Sequence, residues 1–142
     1  MKEYDLSRFI TSQQTDYPTA LAEIKSGKKT THWIWYIFPQ IKGLGRSAMS
    51  QHFAVENLEE ARQFLAHPYL GANLIEISKA LLELESNDPI AVMGSHVDAV
   101  KLRSSMTLFI IADETQPVFQ AVLDKFFGGE PDPLTISILK AL

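Results

Sequence analysis

Apolar residues along this chain recur mostly at three- and four-residue spacing and almost nowhere in strict alternation. That pattern predicts helices and leaves little from which to build a sheet. Asp5 is placed to cap a first helix carrying Leu6, Phe9 and Ile10. Asp16, before Tyr17 and Pro18, opens a second stretch whose stripe, Leu21 and Ile24, stops at Gly27. Thr31 reads as the cap of a short aromatic helix over residues 32–38, halted by Pro39. Residues 33–38 are also the one stretch whose aromatic and β-branched content suits a strand. Ser47 begins a helix containing Met49 and Phe53, and Asn57 with Glu60 forms a capping box for residues 58–66. Pro68 restarts the chain, after which Leu70, Leu74, Ile77, Leu81 and Leu84 make an ordinary core stripe. Asp88-Pro89 and Asp132-Pro133 each set a cap before a proline at the first helical position. The first of these helices ends at Gly94, and the second carries Leu134, Ile138 and Leu142. Between them lie residues 95–113 and 118–127, the latter closed by Gly128 and Gly129. From Met106 to Ala112 the pattern is apolar nearly all round, the mark of a buried helix. The expectation is an all-α fold: one compact domain over residues 1–142, with seven to nine short helices around a buried central helix near 95–113.

Composition adds boundaries to this picture. A chain of 142 residues fits one domain and can bury a core without staples. With no cysteine it has no disulfide, no thiolate nucleophile and no Cys-ligated metal, which is consistent with a reducing cytoplasm. A net charge of −4, with lysines and arginines scattered apart from Lys25, Lys28 and Lys29, argues against nucleic acid. No apolar run approaches the roughly 20 residues a membrane span needs, and the first residues, MKEYDLSRFITSQQ, lack the pattern of a secretory signal. The expected location is the cytoplasm.

Candidate chemistry concentrates in three segments. Lys101, Arg103, Ser104 and Ser105 stand one turn before the apolar part of the central helix, where cations and hydroxyls are costly unless each finds a partner. They can form a cationic pocket for a carboxylate or phosphate, or they can be tied down structurally, with Asp98 pairing Lys101 at helical spacing and Arg103 fastening a neighbouring helix. The aromatic segment holds His32, Trp33, Trp35 and Tyr36, with His32 and Tyr36 on one helical face and the tryptophans diverging. Such a segment can floor a pocket for a flat ring or be plain core. Gln40, Gly43, Gly45, Arg46 and Ser47 form a glycine turn ahead of a helix. Its G-x-G-x-x-A spacing imitates a dinucleotide fingerprint, but the strands that motif requires are missing, leaving a turn able to receive an anion.

Other chemistries are poorly supplied. His32, His52, His67 and His96 lack metal-binding spacing, so neither a metal nor another cofactor is expected. Glu83 and Glu85 lie on different helix faces, and Glu59 and Glu60 read as adjacent surface charges. Two functions of different class follow. One is binding or processing of an anionic, phosphorylated or nucleotide-like small molecule where residues 43–47 and 101–105 converge. The other is a non-enzymatic module that binds a protein partner through a helical surface.

The strings DLSRFITSQ, THWIWYIFPQIKGLGRSAMSQHF, FLAHPYLG, KLRSSMTLF and VLDKFFGGEPDPLT cover much of the chain. On them the sequence resembles a small bacterial family of unknown function whose members are sometimes mislabelled calpastatin. The resemblance implies an all-helical fold and supplies no activity and no catalytic residues. The calpastatin label carries no mechanism, because calpastatins are disordered inhibitors whereas this composition folds.

Overall fold

Short polar side chains and glycines fix most helix ends in this chain. The structure, a computed structural model, describes residues 2–142, so Met1 of the expected 1–142 domain lies outside the described residues. Among the described residues there are nine helices, α1 (Ser7–Ser26), α2 (Ile34–Ile37), α3 (Ala48–His52), α4 (Leu58–Ala66), α5 (Pro68–Leu82), α6 (Pro89–Met93), α7 (His96–Ala112), α8 (Val118–Phe127) and α9 (Pro133–Ala141). Ser47, Asn57, Asp88, Ser95 and Asp132 each accept a backbone N–H at the start of the helix that follows. Gly27, Gly94 and Gly128 close α1, α6 and α8 in left-handed conformation. No strand forms among the described residues, and the tempting segment 33–38 is helical at its centre. A single parallel bridge joins Ile41 to Val55, through Val55 N–H to the Gln40 carbonyl (2.9 Å) and Lys42 N–H to the Val55 carbonyl (2.8 Å). It closes the loop that carries α3.

Four local expectations give way. The two helices predicted before Gly27 are one, α1, which runs through Pro18. Pro18 is exposed, so the hydrogen bond it forfeits lies on the solvent side of the helix, while Phe9, Gln13, Tyr17, Ala20 and Ile24 bury the other. Thr31 caps nothing, because its hydroxyl donates to Glu23 (2.5 Å) and α2 starts only after Trp33. Glu60 is not a surface charge: it is buried, accepts Glu56 N–H (2.7 Å) and pairs with Arg8 (3.3 Å). Of the apolar residues expected on α9, Leu142 lies beyond the helix end at 72% exposure and Leu134 is 65% exposed, while Ile138 packs against the core.

The core is continuous from Phe9 to Phe126, and α7 lies at its centre, touching α2, α4, α6, α8 and α9. From Ser104 to Phe109 every residue of α7 is buried, while Ile110 and Ile111, within the stretch 106–112 read as apolar all round, are half-buried. Phe9, Phe64, Phe109 and Phe119 form a chain of ring contacts with centroids 5.2–5.9 Å apart, linking α1, α4, α7 and α8. No helix among the described residues is long and apolar enough to cross a membrane.

The α4–α5 corner depends on a glycine. His67 ends α4 and caps α5 with its ring Nδ1, which accepts Tyr69 N–H and Leu70 N–H at 3.2 Å each. This tight reversal brings the Leu65 carbonyl oxygen onto Gly71, where a Cβ would lie 2.0 Å from it. Gly71→Ala is expected to lower stability by about 3 kcal/mol, the upper end for overpacking, although alanine is the better helix former. Urea denaturation checks this, with the open, exposed Ala72→Gly as a reference that should lose only about 1 kcal/mol.

Candidate functional site

The turn between α1 and α2 positions the aromatic segment. Glu23, on the last turns of α1, accepts N–H bonds from Thr30 (2.7 Å) and Thr31 (3.0 Å), the Thr31 hydroxyl (2.5 Å) and Trp33 Nε1–H (3.0 Å). Beside it, buried Lys29 donates to the Thr31 carbonyl, pairs with Asp98 of α7 at 2.8 Å and sits 4.9 Å from the Trp33 ring centroid. The turn is thereby pinned to both α1 and the start of α7. It follows that Trp33 is core, at 1% exposure, and is not available to flank a ligand. Tyr36 is also buried, its hydroxyl held by the Asp16 carboxylate and the His32 carbonyl. Burial, reinforced by Asp16, pushes its phenol well above the ordinary range, so this hydroxyl stays protonated. His32 lies outside α2 on an exposed turn, so it shares no helical face with Tyr36.

Trp35 is placed differently. It is half-buried, and Lys101 Nζ of α7 rests 5.3 Å from its ring centroid. Lys101 has no ion pair and no hydrogen bond among the described residues, since Asp98, the partner its spacing predicts, is engaged by Lys29. Arg103, two residues on, is tied to the segment before α9: its guanidinium donates to the Glu130 carbonyl (2.8 Å) and the Pro131 carbonyl (3.0 Å).

A cleft of about 270 Å3 opens between the turn after Pro39, the amino-terminal half of α7 and the start of α9. Its walls are Leu44, Val97, Val100 and Leu134, and its polar groups come from Gln40, His96, Lys101, Ser104 and Asp132. Gly45 lines one edge because it lies against α3, where a Cβ would come within 2.4 Å of the Ser50 Cβ. At the base, Ser104 Oγ–H is shared between the Val100 carbonyl (3.0 Å) and Asp132 Oδ2 (3.1 Å). The same Oδ2 accepts Thr135 N–H (3.1 Å) and Thr135 Oγ1–H (2.6 Å), and Asp132 N–H donates to Thr107 Oγ1 (2.9 Å).

The two segments singled out in the sequence therefore meet, but through few of their residues. Gln40, Gly45, Lys101 and Ser104 line the cleft, and Trp35 lies beneath Lys101. Gly43 and Gly45 also border a separate depression with Lys42, Gln51, Ala54 and Glu56. Arg46 is exposed and does not line the cleft, and the Ser47 side chain is spent on capping α3. Ser105 is buried away from it, its Oγ without a partner, as is Trp35 Nε1. Asp132 and the apolar walls were not read as site residues. Asp132-Pro133 carries the plain signature of a helix cap, and only Val97 and Val100, apolar residues beside Lys101, hint at an apolar surface there. Among the described residues no cluster of three or more His, Asp or Glu is placed to hold a metal.

The all-helical architecture and its cleft define the class. The chain belongs to the family described as "Protein of unknown function (DUF1810)", whose model matches residues 3–139. It is similar to a solved structure, the conserved hypothetical protein Rv1873 from Mycobacterium tuberculosis, with 36% identity and a TM-score of 0.93 over 96% of this chain and 97% of that one. No functionally curated protein matches it.

Glu23 gives the α1–α2 turn a pH signature. Partial burial raises its pKa, but the hydrogen bonds from Thr31, Thr30 and Trp33 outweigh that and bring it from 4.5 down to about 2. A carboxylate depressed on folding stabilises the fold fully above its unfolded pKa and loses that contribution as pH falls through its folded one. Glu23→Gln should therefore be less stable at pH 7, by about 1 kcal/mol once solvent screening is allowed for. The gap should narrow between pH 4.5 and about 2, as thermal unfolding at several pH values checks.

Proposed function

We propose that this protein binds a small molecule bearing an anionic group, in the cleft between the glycine turn and α7, with Lys101 as its counter-ion. The observation that carries the reading is Lys101 itself, a cation on the wall of an amphipathic cleft with no carboxylate paired to it. Lys29 is paired with Asp98 and Arg103 does not line the cleft, so the anion has Lys101 for its charge and Leu44, Val97, Val100 and Leu134 for its apolar part. A cleft of about 270 Å3 sits just below the range typical of drug-sized ligands and suits a metabolite. Phosphorylated and carboxylated compounds share the chemistry required.

The exposed Val97, Val100 and Leu134 (60%, 42% and 65%) favour a second reading, a non-enzymatic module whose partner covers that rim. Thermal shift with AMP, glucose 6-phosphate, ADP-ribose and 4-methylpentanoate separates the two. A native-state ligand at a hundred times its dissociation constant adds about 2.7 kcal/mol. Lys101→Met is expected to weaken binding at least tenfold while changing stability by no more than about 1 kcal/mol, the worth of its contact with Trp35. Silence across the panel, or binding unchanged by the substitution, would favour the partner module.

A further inference from the structure

Asp132 leaves something for the anion reading to answer. A ligand carrying only negative charge would sit in a cleft that already contains a carboxylate. Asp132 is 8% exposed and has no cationic partner among the described residues. Its Oδ2 is saturated by Ser104 Oγ–H, Thr135 N–H and Thr135 Oγ1–H, whereas Oδ1 receives no hydrogen bond. Oδ1 is not among the fully buried atoms left without a partner, which are Trp35 Nε1 and Ser105 Oγ, so it keeps access to solvent where Asp132 lines the cleft. A buried carboxylate ordinarily has a cation or a full set of donors. Here half of one is held open.

Lys101 and Asp132 do not pair with each other, although both line this cleft. One opening thus presents an unpaired cation and an unpaired carboxylate, lined also by apolar side chains. We infer that the ligand is a zwitterion of the α-amino-acid type with an apolar side chain. Its carboxylate faces Lys101, its ammonium faces Asp132 Oδ1, and its side chain lies against Val97, Val100 and Leu134. The inference rests on the reading of Lys101 as an anion's counter-ion and adds the opposite charge. A zwitterion is the ligand that leaves neither protein charge unanswered, and it can stay net neutral on a chain of net charge −4.

The test uses two ligand series on the wild-type protein, read by calorimetry and by intrinsic tryptophan fluorescence. The first is L-leucine, 4-methylpentanoate and 3-methylbutylamine; the second is L-phenylalanine, 3-phenylpropanoate and 2-phenylethylamine. Each series holds the side chain and removes one charge. The amino acid of at least one series should bind tenfold or more tighter than its acid and its amine. Asp132→Asn should reduce amino-acid affinity to near that of the acid while leaving acid binding intact. Retained acid binding shows that the variant is folded, since Asp132 also caps α9. An acid that binds as tightly as its amino acid in both series would overturn the zwitterion and leave the anion reading standing. An amine that binds as tightly as the amino acid, or no binding by any of the six, would overturn both.

Discussion

The polar groups at the buried end of α7 are the constraint on which the rest of the site depends. Ser104 and Thr107 are interior residues of a core helix, and half-buried Arg103 immediately precedes Ser104. Each buried donor or acceptor left unmet would cost about 1–3 kcal/mol. They are met by one short segment: the Glu130 and Pro131 carbonyls for Arg103, the Asp132 carboxylate for Ser104, and the Asp132 N–H for Thr107. The segment in turn has its own polar backbone satisfied by α7. The start of α9 is thereby fixed to the middle of the molecule even though the residues of α9 beyond it are mostly exposed or half-buried.

The free charge on Lys101 follows from a competition won elsewhere. Asp98 precedes Lys101 by three residues and could reach it, a pairing worth only about 0.2–0.5 kcal/mol on an exposed helix face. Lys29 is buried, at 6% exposure, and a buried ammonium without an anion is far more costly than an exposed one. Asp98 accordingly closes on Lys29 at 2.8 Å, and Lys101 turns to the face of Trp35. The burial of one lysine in the α1–α2 turn thus exposes the charge of another on α7.

Much of the fold was legible because caps are local. Ser47, Asn57, Asp88 and Asp132 act within four residues of themselves, and the local sequence identifies them. What failed was whatever depended on a distant partner. Thr31 has the right chemistry for a cap, but Glu23 takes its hydroxyl and its N–H. Pro18 looks like a helix boundary, yet the buried face from Phe9 to Ile24 carries α1 past it. Glu60 reads as surface until Arg8, 52 residues earlier, is seen against it. The site divides in the same way. The convergence of the glycine turn with the Lys101 region was legible as a surplus of polar residues beside apolar ones. Asp132 was not, because a capping aspartate and a ligand-facing aspartate have the same sequence signature, and in the proposed zwitterion complex one side chain takes both roles on different oxygens.

Why a cleft exists there at all follows from how its walls are held. The glycine turn is anchored by the Ile41–Val55 bridge and by the close approach of Gly45 to Ser50. The start of α9 is anchored by Asp132, and the α7 wall belongs to the core helix. The α9 and α7 walls are joined by the hydrogen bonds of Asp132 to Ser104 and Thr107, whereas no hydrogen bond or ion pair among the described residues draws the glycine turn onto either. Leu44, Val97, Val100 and Leu134 line the gap that remains, and Val97, Val100 and Leu134 stay exposed, although burial would stabilise by about 25 cal/mol for each Å2 removed from solvent. That unspent burial is available to whatever fills the gap. A ligand entering it gains apolar contact without having to deform the protein, which is the condition under which one lysine and one carboxylate oxygen can set its orientation.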